Sequence, residues 1–452
     1  MSTSQRVPRM LLLAVPFALS ACAGFSGDAG LSQVQQGASE RLGRPVTLVH
    51  DDATERRIAD LLARPLGADD AVQLALLNNK GLRASLAELG IAEADYVQAG
   101  RLPNPGFSFG RLTRGSELEI DRGISFNLIR LLTLPLASRI ESQRFEQARR
   151  DATLQVITLA SRTRKAWVDA VAAAQSASYL QQVQRSADAG AELARRMVAA
   201  GNWNKLSEAR ELGFRSEALL NLARAQQAQT AARERLTRLL GVSGAQTNYA
   251  LPDRLPDLPE SIADDAAIDQ RALNERLDVE SARLHAERTA RNLGLTKATR
   301  FVNVLELGAA RNSYNDGSTE RGYSVSVELP LFDWGDARVQ RAEGLYTQAL
   351  MRAGEVAVNA QSELREATAA YRSRYEVARH CRDELVPLAK RVADENLLRY
   401  NAMLIGVFDL LADARAQIAA VNAALDAQRA FWLAQAELDI ALIGAPLSRD
   451  MP

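Results

Sequence analysis

The chain has 452 residues, 47% of them hydrophobic, with 55 basic and 55 acidic side chains and only two cysteines, Cys22 and Cys381. That balance gives no electrostatic ground for a nucleic-acid partner. Two cysteines are too few for a disulfide framework.

In chain order, Arg6 and Arg9 precede an apolar run from Met10 to Leu19, too short to span a bilayer and placed as an export signal over residues 1–21. It ends in Leu19-Ser20-Ala21-Cys22, which resembles a bacterial lipobox. The resemblance implies that Cys22 becomes the lipid-modified first residue of the mature protein and that Ala23 favours release to the outer membrane. A plain secretory signal with an incidental cysteine is the alternative. Residues 22–67 then form a lipid-anchored N-terminal segment of weak pattern, and Cys381 reads as a buried or half-buried filler. After the signal there is no uninterrupted apolar stretch of 18 residues, so a membrane crossing would have to be a closed barrel.

A first repeat covers residues 68–241. A helix starts at Asp69 or Asp70 and runs to about Gly100. Strands follow at about 104–113 and 117–129; in the second, Leu118, Ile120, Ile124, Phe126 and Leu128 share one parity with Arg122, against Glu117, Glu119, Asp121, Ser125 and Asn127. One such face suits lipid and the other an aqueous lumen. The absence of proline between Leu136 and Leu251 gives a helical reading from Pro135 to Leu240, reversed at a tip over 200–206, Gly201-Asn202-Trp203-Asn204. Residues 242–262, with Pro252, Pro256 and Pro259, form a non-helical connector.

The second repeat covers residues 263–445 and leaves a tail at 446–452. Asp264 or Asp265 starts a helix to about Lys297, and strands follow at about 301–311 and 320–330 around the turn Asn315-Asp316-Gly317-Ser318. In the last strand Tyr323, Val325, Val327 and Leu329 oppose Ser324, Ser326 and Glu328. Pro330 ends the ladder, and Asp333 and Asp336 offer caps for the helix that follows. Pro387 predicts a kink that the first half lacks, and a second tip lies at 401–408. Gly110 matches Gly308 at a separation of 198, Gly123 matches Gly322 at 199, Leu206–Arg210 matches Leu411–Arg415 at 205, and Gly241 matches Gly444 at 203. The chain is therefore a duplication of one whole unit. The outgoing helix from Leu136 to Gly201 is roughly 100 Å long at about 1.5 Å per residue. The two short helices, Leu206–Gly241 and Asp265–Lys297, match it when placed end to end.

Four strands with an oily face leave two unpaired edges, so several subunits must pool them; dimer, trimer and tetramer would give about 8, 12 and 16 strands. Nearly the whole mature chain carries a family resemblance. The lipobox, LRASLAELGIAEADYVQAGRLPNP, ELPLFDWGDAR, the doubled strand–helix units and YNAMLIGVFDLLADAR together resemble the TolC-like outer-membrane factors, in their lipoprotein branch. The resemblance implies a mainly α chain with a transmembrane β-barrel part. Its homotrimer would pair a 12-stranded barrel in the outer membrane of a Gram-negative bacterium with a long periplasmic α-helical barrel. It also implies the channel of a tripartite efflux system, passive and coupled through a periplasmic adaptor (membrane fusion) protein to an inner-membrane pump. The exit duct of a type I protein-secretion system and a non-pore periplasmic coiled-coil scaffold are the alternatives. The first junction, LLTLPLASR, departs from the PLFDWG form of the second.

The resemblance places an acidic gate just after the second tip, a position that Asp409 matches better than Asp413; both also suit the first turn of a helix electrostatically. Gly201 and Gly406 permit tight reversals. By resemblance the tips meet the adaptor, with Gly201, Asn202, Trp203, Met403, Leu404 and Gly406 as contacts. For Leu404 and Phe408 packing inside the tip is the preferred reading. Phe332 and Trp334 fit a membrane-interface aromatic belt, with a buried junction plug as the alternative. No catalytic constellation, cofactor motif or metal-ligand spacing appears: His50, His285 and His380 are dispersed and no Gly-rich phosphate loop follows a strand.

Overall fold

A computed structural model describes residues 24–49, 53–262, 276–301, 304–328 and 331–444. Helices α1 (Leu31–Leu42), α2 (Thr54–Leu62), α3 (Ala68–Asn78) and α4 (Lys80–Ala99) lead into strands β1 (Gly106–Arg114) and β2 (Glu117–Asn127). The long helix α5 (Leu128–Ala199) and its return α6 (Lys205–Leu240) complete the first half. The second half comprises α7 (Leu277–Thr299), β3 (Leu305–Tyr314), β4 (Thr319–Val327), α8 (Asp336–His380), α9 (Val386–Asn401) and α10 (Val407–Ile443). The chain divides into two compact units. One holds the sheet with Ser85–Ala152 and Glu280–Val356; the other holds Gln35–Ala84, Thr153–Val279 and the chain from Ala357 onward.

In the first unit the four strands form one antiparallel sheet in the order β1-β2-β3-β4. Tight turns explain the hairpins: Gly115 and Gly317 take positive φ, 61° and 83°, and the Asp316 carboxylate accepts from the Ser318 N–H at 2.8 Å. Beneath the sheet, Asp151 on α5 accepts from the Ser281 hydroxyl of α7 at 2.9 Å. Burial still holds that carboxyl above the usual carboxylate range.

The second unit is packed along alanine-rich helix faces, where small side chains let helices approach closely; Ala166, Ala170, Ala187, Ala191 and Ala194 are all buried. The connector is strapped to these helices by its own carbonyls. The Tyr375 hydroxyl donates to Pro259 and Glu260 (3.2 and 2.7 Å), and Trp432 Nε1 and Gln428 Nε2 both donate to Pro256 (3.1 and 2.7 Å). Leu255 and Leu258 point inward, the latter into a cluster with Tyr375, Cys381 and Phe431.

Several expectations need correction. The weakly patterned N-terminal segment contains α1 and α2, with Val34, Ala38 and Ile58 buried. The helix read from Asp69 to Gly100 is two helices, because Asn79 is extended (φ −68°, ψ 112°). Its side chain then caps α4, accepting from the Leu82 N–H at 2.9 Å. The helix after β2 begins at Leu128 and not at Pro135, which lies inside it. The Asn127 side chain caps it, accepting from the Arg130 N–H at 2.8 Å. At the second junction Asp333 accepts from the Gly335 N–H at 2.8 Å before α8 starts, so the two junctions differ as their sequences do.

The end-to-end pairing of short helices is also different from the one expected. The carbonyl end of α6 meets the Asn78-Asn79 break: Asn78 Nδ2 donates to Leu240 and Gly241 (3.2 and 2.9 Å) and Asn79 Nδ2 to Leu239 (3.0 Å). The end of α10 meets the start of α7, where the Asp278 N–H donates to Gly444 at 3.2 Å. Pro387 follows a five-residue π segment, Cys381–Leu385, closed by the Val386 N–H donating to Cys381. A wide turn there accommodates the hydrogen bond that proline cannot make. The helix start at Asp264 or Asp265 and the residues 329–330 and 446–452 lie outside the described residues.

Candidate functional site

Two features are candidates, the sheet and the helix tips, and each lies within one unit. The sheet has an inverted character for a protein in water. Its register aligns Phe107, Ile124, Ala309 and Tyr323 in one row across the four strands, and Phe126, Leu307 and Val325 in the next. Phe107, Ile124, Phe126, Leu307, Tyr323, Val325 and Val327 are all exposed. The other face carries Glu117, Glu119, Asp121, Glu306 and Glu320. There Glu119 accepts from Asn312 Nδ2 (2.9 Å) and the Tyr314 hydroxyl (3.2 Å). Leu112 and Arg114 lie on this face near the β1 turn, and small residues line the part nearer the helices. A Cβ on Gly123 or Gly308 would lie 2.5 Å from the hydroxyl of Ser108 or Ser324, so serine faces glycine across the strands. Exposed apolar side chains opposite a hydrogen-bonded polar face match a strand set with lipid outside and water within.

Both tips close their incoming helix in the same way. At the first, the Asn202 N–H donates to Met197 (2.9 Å) and the Gly201 N–H to Val198 (3.0 Å); at the second, the Leu404 N–H donates to Arg399 (2.9 Å) and the Met403 N–H to Tyr400 (2.9 Å). The residue that turns the chain is Gly201 at φ 76° in one case and Met403 at φ 62° in the other. Gly406, expected to permit the reversal, is instead an extended N-cap (φ −84°, ψ 162°). A side chain therefore occupies the position that glycine fills in the first tip.

Asp409 is exposed and accepts from the Gly406 N–H at 3.2 Å, a local helix-start bond. Asp413 accepts from Asn396 Nδ2 on α9 and so ties α9 to α10. Trp203 stacks on Phe408 with ring centroids 4.4 Å apart, which joins the two tips. Phe408 is 39% exposed despite this ring contact, and Leu404 is 74% exposed, beside Met403 at 94%. Gly201 and Asn202 are also exposed. In the single chain Phe332 (98% exposed) and Trp334 form no buried plug. Cys22 lies outside the described residues.

Sequence reading missed the pair that locks the tip helices. Arg415 on α10 lies 2.6 Å from the nearly buried Glu211 on α6 and sits 4.5 Å over the Phe214 ring. The repeat had marked Arg415 through the match of Leu206–Arg210 with Leu411–Arg415, but nothing local names its partner. Among the described residues no cluster of His, Cys, Asp and Glu is arranged to hold a metal ion.

No family model matches the sequence. The cobalt-zinc-cadmium resistance protein CzcC of Cupriavidus metallidurans is 26% identical over 283 residues, a match that spans 60% of this chain and 64% of that relative, less than two thirds of its length. Among solved structures, the CmeC outer membrane channel of Campylobacter jejuni aligns with a TM-score of 0.71 at 17% identity, covering 85% of this chain and 87% of that one. The MtrE outer membrane channel of Neisseria gonorrhoeae, in its open state, aligns with a TM-score of 0.68 at 20% identity, covering 84% and 89%. The chain has the fold of outer-membrane channels, the TolC-like architecture that its motifs resemble.

Proposed function

We propose that this chain is the outer-membrane channel subunit of a tripartite efflux system, anchored through lipid on Cys22 and trimeric, with its strands pooled into one 12-stranded barrel. The observation that carries this reading is the two-faced sheet, apolar and exposed on one side, acidic on the other, with β1 and β4 left as open edges. Hydrocarbon tolerates such edges only when they are paired, so the sheet calls for neighbouring copies. The tips, with Met403 and Leu404 projecting and Gly201 and Asn202 beside them, serve as the contact for a periplasmic adaptor, and an inner-membrane pump supplies the energy. Phe332 and Trp334 sit at the membrane interface. Asp409, repeated about the threefold axis, forms a cation-attracting constriction, with Asp413 set behind it by its bond to Asn396. The duct passes what its pump delivers, and the likeness to a cobalt-zinc-cadmium resistance protein makes divalent metal cations the first cargo to test.

Single-channel conductance of the purified protein in planar bilayers, beside Asp409→Ala, tests the reading. Small cation-selective openings that widen and lose selectivity in the variant are expected. Conductance and selectivity equal in both proteins would remove Asp409 from the gate, and no conductance from inserted trimers of either would remove the duct.

A further inference from the structure

Charge on the apolar face of the sheet is confined to one place and one sign. Antiparallel pairing sets Phe109 opposite Arg122, Arg122 opposite Arg311 and Arg311 opposite Arg321, so three arginines from three adjacent strands stand side by side. Arg111 adds a fourth on the same face, opposite Ile120 and one row nearer the turns. All four are exposed. The carboxylates of the strands fall on the other parity, and Arg122 has a neutral partner, the Ser313 hydroxyl at 3.3 Å. The row lies directly beyond Phe107, Ile124, Ala309 and Tyr323, on the side of the hairpin turns and away from the helices that enter and leave the sheet.

Directly opposed residues in a sheet have Cβ atoms about 5 Å apart, and like charges at that spacing destabilise the pairing. A row of three therefore carries unrelieved repulsion, which an anionic group lying across it would relieve. Guanidinium groups bind phosphate oxygens in bidentate fashion, which a row of forks at strand spacing repeats. We propose that Arg111, Arg122, Arg311 and Arg321 form a docking site for the phosphate groups of an outer-leaflet membrane lipid, a phosphorylated glycolipid whose acyl chains lie along the apolar rows of Phe107 to Tyr323 and Phe126 to Val325. A soluble phosphate lacks the chains that would cover that apolar band, so a membrane lipid is the occupant. This inference rests on the membrane-channel reading above.

The test uses the full-length trimer, first shown by heat-modifiable migration to contain a closed barrel, and compares it with Arg122→Gln/Arg311→Gln/Arg321→Gln and with the corresponding triple Lys variant. Native mass spectrometry is run with bis-phosphorylated lipid A, with dephosphorylated lipid A and with inorganic phosphate. The wild type is expected to retain the phosphorylated lipid at least tenfold more tightly than the Gln variant, with the Lys variant between them, and to lose that preference for the dephosphorylated lipid. Thermal melting gives a second sign: in lipid-free detergent the Gln variant melts higher than the wild type because repulsion is relieved, and added phosphorylated lipid reverses the order. Equal retention by wild type and Gln variant, or displacement of the lipid by millimolar inorganic phosphate, overturns the proposal while leaving the channel reading intact. A chain that forms no heat-modifiable trimer overturns both.

Discussion

Met403 shows what a single residue contributes at the tips. It takes a left-handed backbone conformation (φ 62°) at the position where the first tip uses Gly201, and its side chain is 94% exposed. For a side-chain-bearing residue that conformation costs about 1–2 kcal/mol, and an exposed methionine recovers little of it by packing. Glycine would relieve the strain at the cost of a more mobile unfolded chain, leaving a net gain of about 0.5–1 kcal/mol. Met403→Gly is therefore expected to slow hydrogen exchange of the Ala402 to Leu404 amides by about two- to fivefold, since 1.4 kcal/mol corresponds to tenfold. If the methionine is retained as adaptor contact, the same variant captures an adaptor hairpin less well. Faster exchange would mean that the side chain packs and the strain argument is wrong.

At the scale of elements, the duplication is clearest where helices end. Gly241 and Gly444 both close a returning helix at positive φ, 70° and 88°, and each abuts the residues ahead of the helix that enters a strand pair. In the first repeat the asparagines do the stitching. In the second a fully buried Arg276 does it, donating to Ala441 (2.9 Å) and Ala360 (3.2 Å) and pairing with Asp278 and Glu363. A Cβ on Gly241 would lie 2.8 Å from the Asn78 carbonyl oxygen, whereas Gly244, also at positive φ, has open space around it. Gly244→Ala should then lose only the backbone term, about 1–2 kcal/mol, and Gly241→Ala should lose about 1–3 kcal/mol more. Denaturant unfolding of the two variants side by side separates strain from contact; equal losses would remove the contact. This junction also marks the limit of what sequence could tell. Strands, turns and tips are legible because alternation and turn residues act locally, whereas the kink expected at Pro387 is met by a π segment inside a continuous helical run. The Asn78-Asn79 break was not legible, since apolar residues continue through it and its partners, Leu239 to Gly241, lie some 160 positions away. The start of α5 lies ahead of the expected one for a different reason: the proline-free run begins only after Pro135, while the actual cap, Asn127, falls in the stretch that alternation reads as strand. The arginine row was invisible because parity within each strand was readable, but the register between strands was not.

For the whole molecule the decisive question is how the open sheet closes. β1 runs toward its turn and β4 runs back from its own, so β1 of one copy can pair antiparallel with β4 of the next. Such a head-to-tail contact joins unlike surfaces and must close into a ring, since an open one would leave an unpaired edge in lipid. The polar face offers sites for a direct test, because Ser108 on β1 and Ser324 on β4 share it and neither lies on the apolar face. Oxidation of a Ser108→Cys/Ser324→Cys variant, with neighbouring serine positions tried to match the register, should yield covalent species that stop at three chains. Cys381 is buried and does not compete. Either cysteine alone should give no ladder, because a head-to-tail seam never brings two identical strands together. A ladder ending at two or four chains would change the strand number while keeping the barrel. Cross-linking by single-cysteine variants would replace the ring with a symmetric dimer, in which like edges meet, and the threefold gate at Asp409 would fall with it.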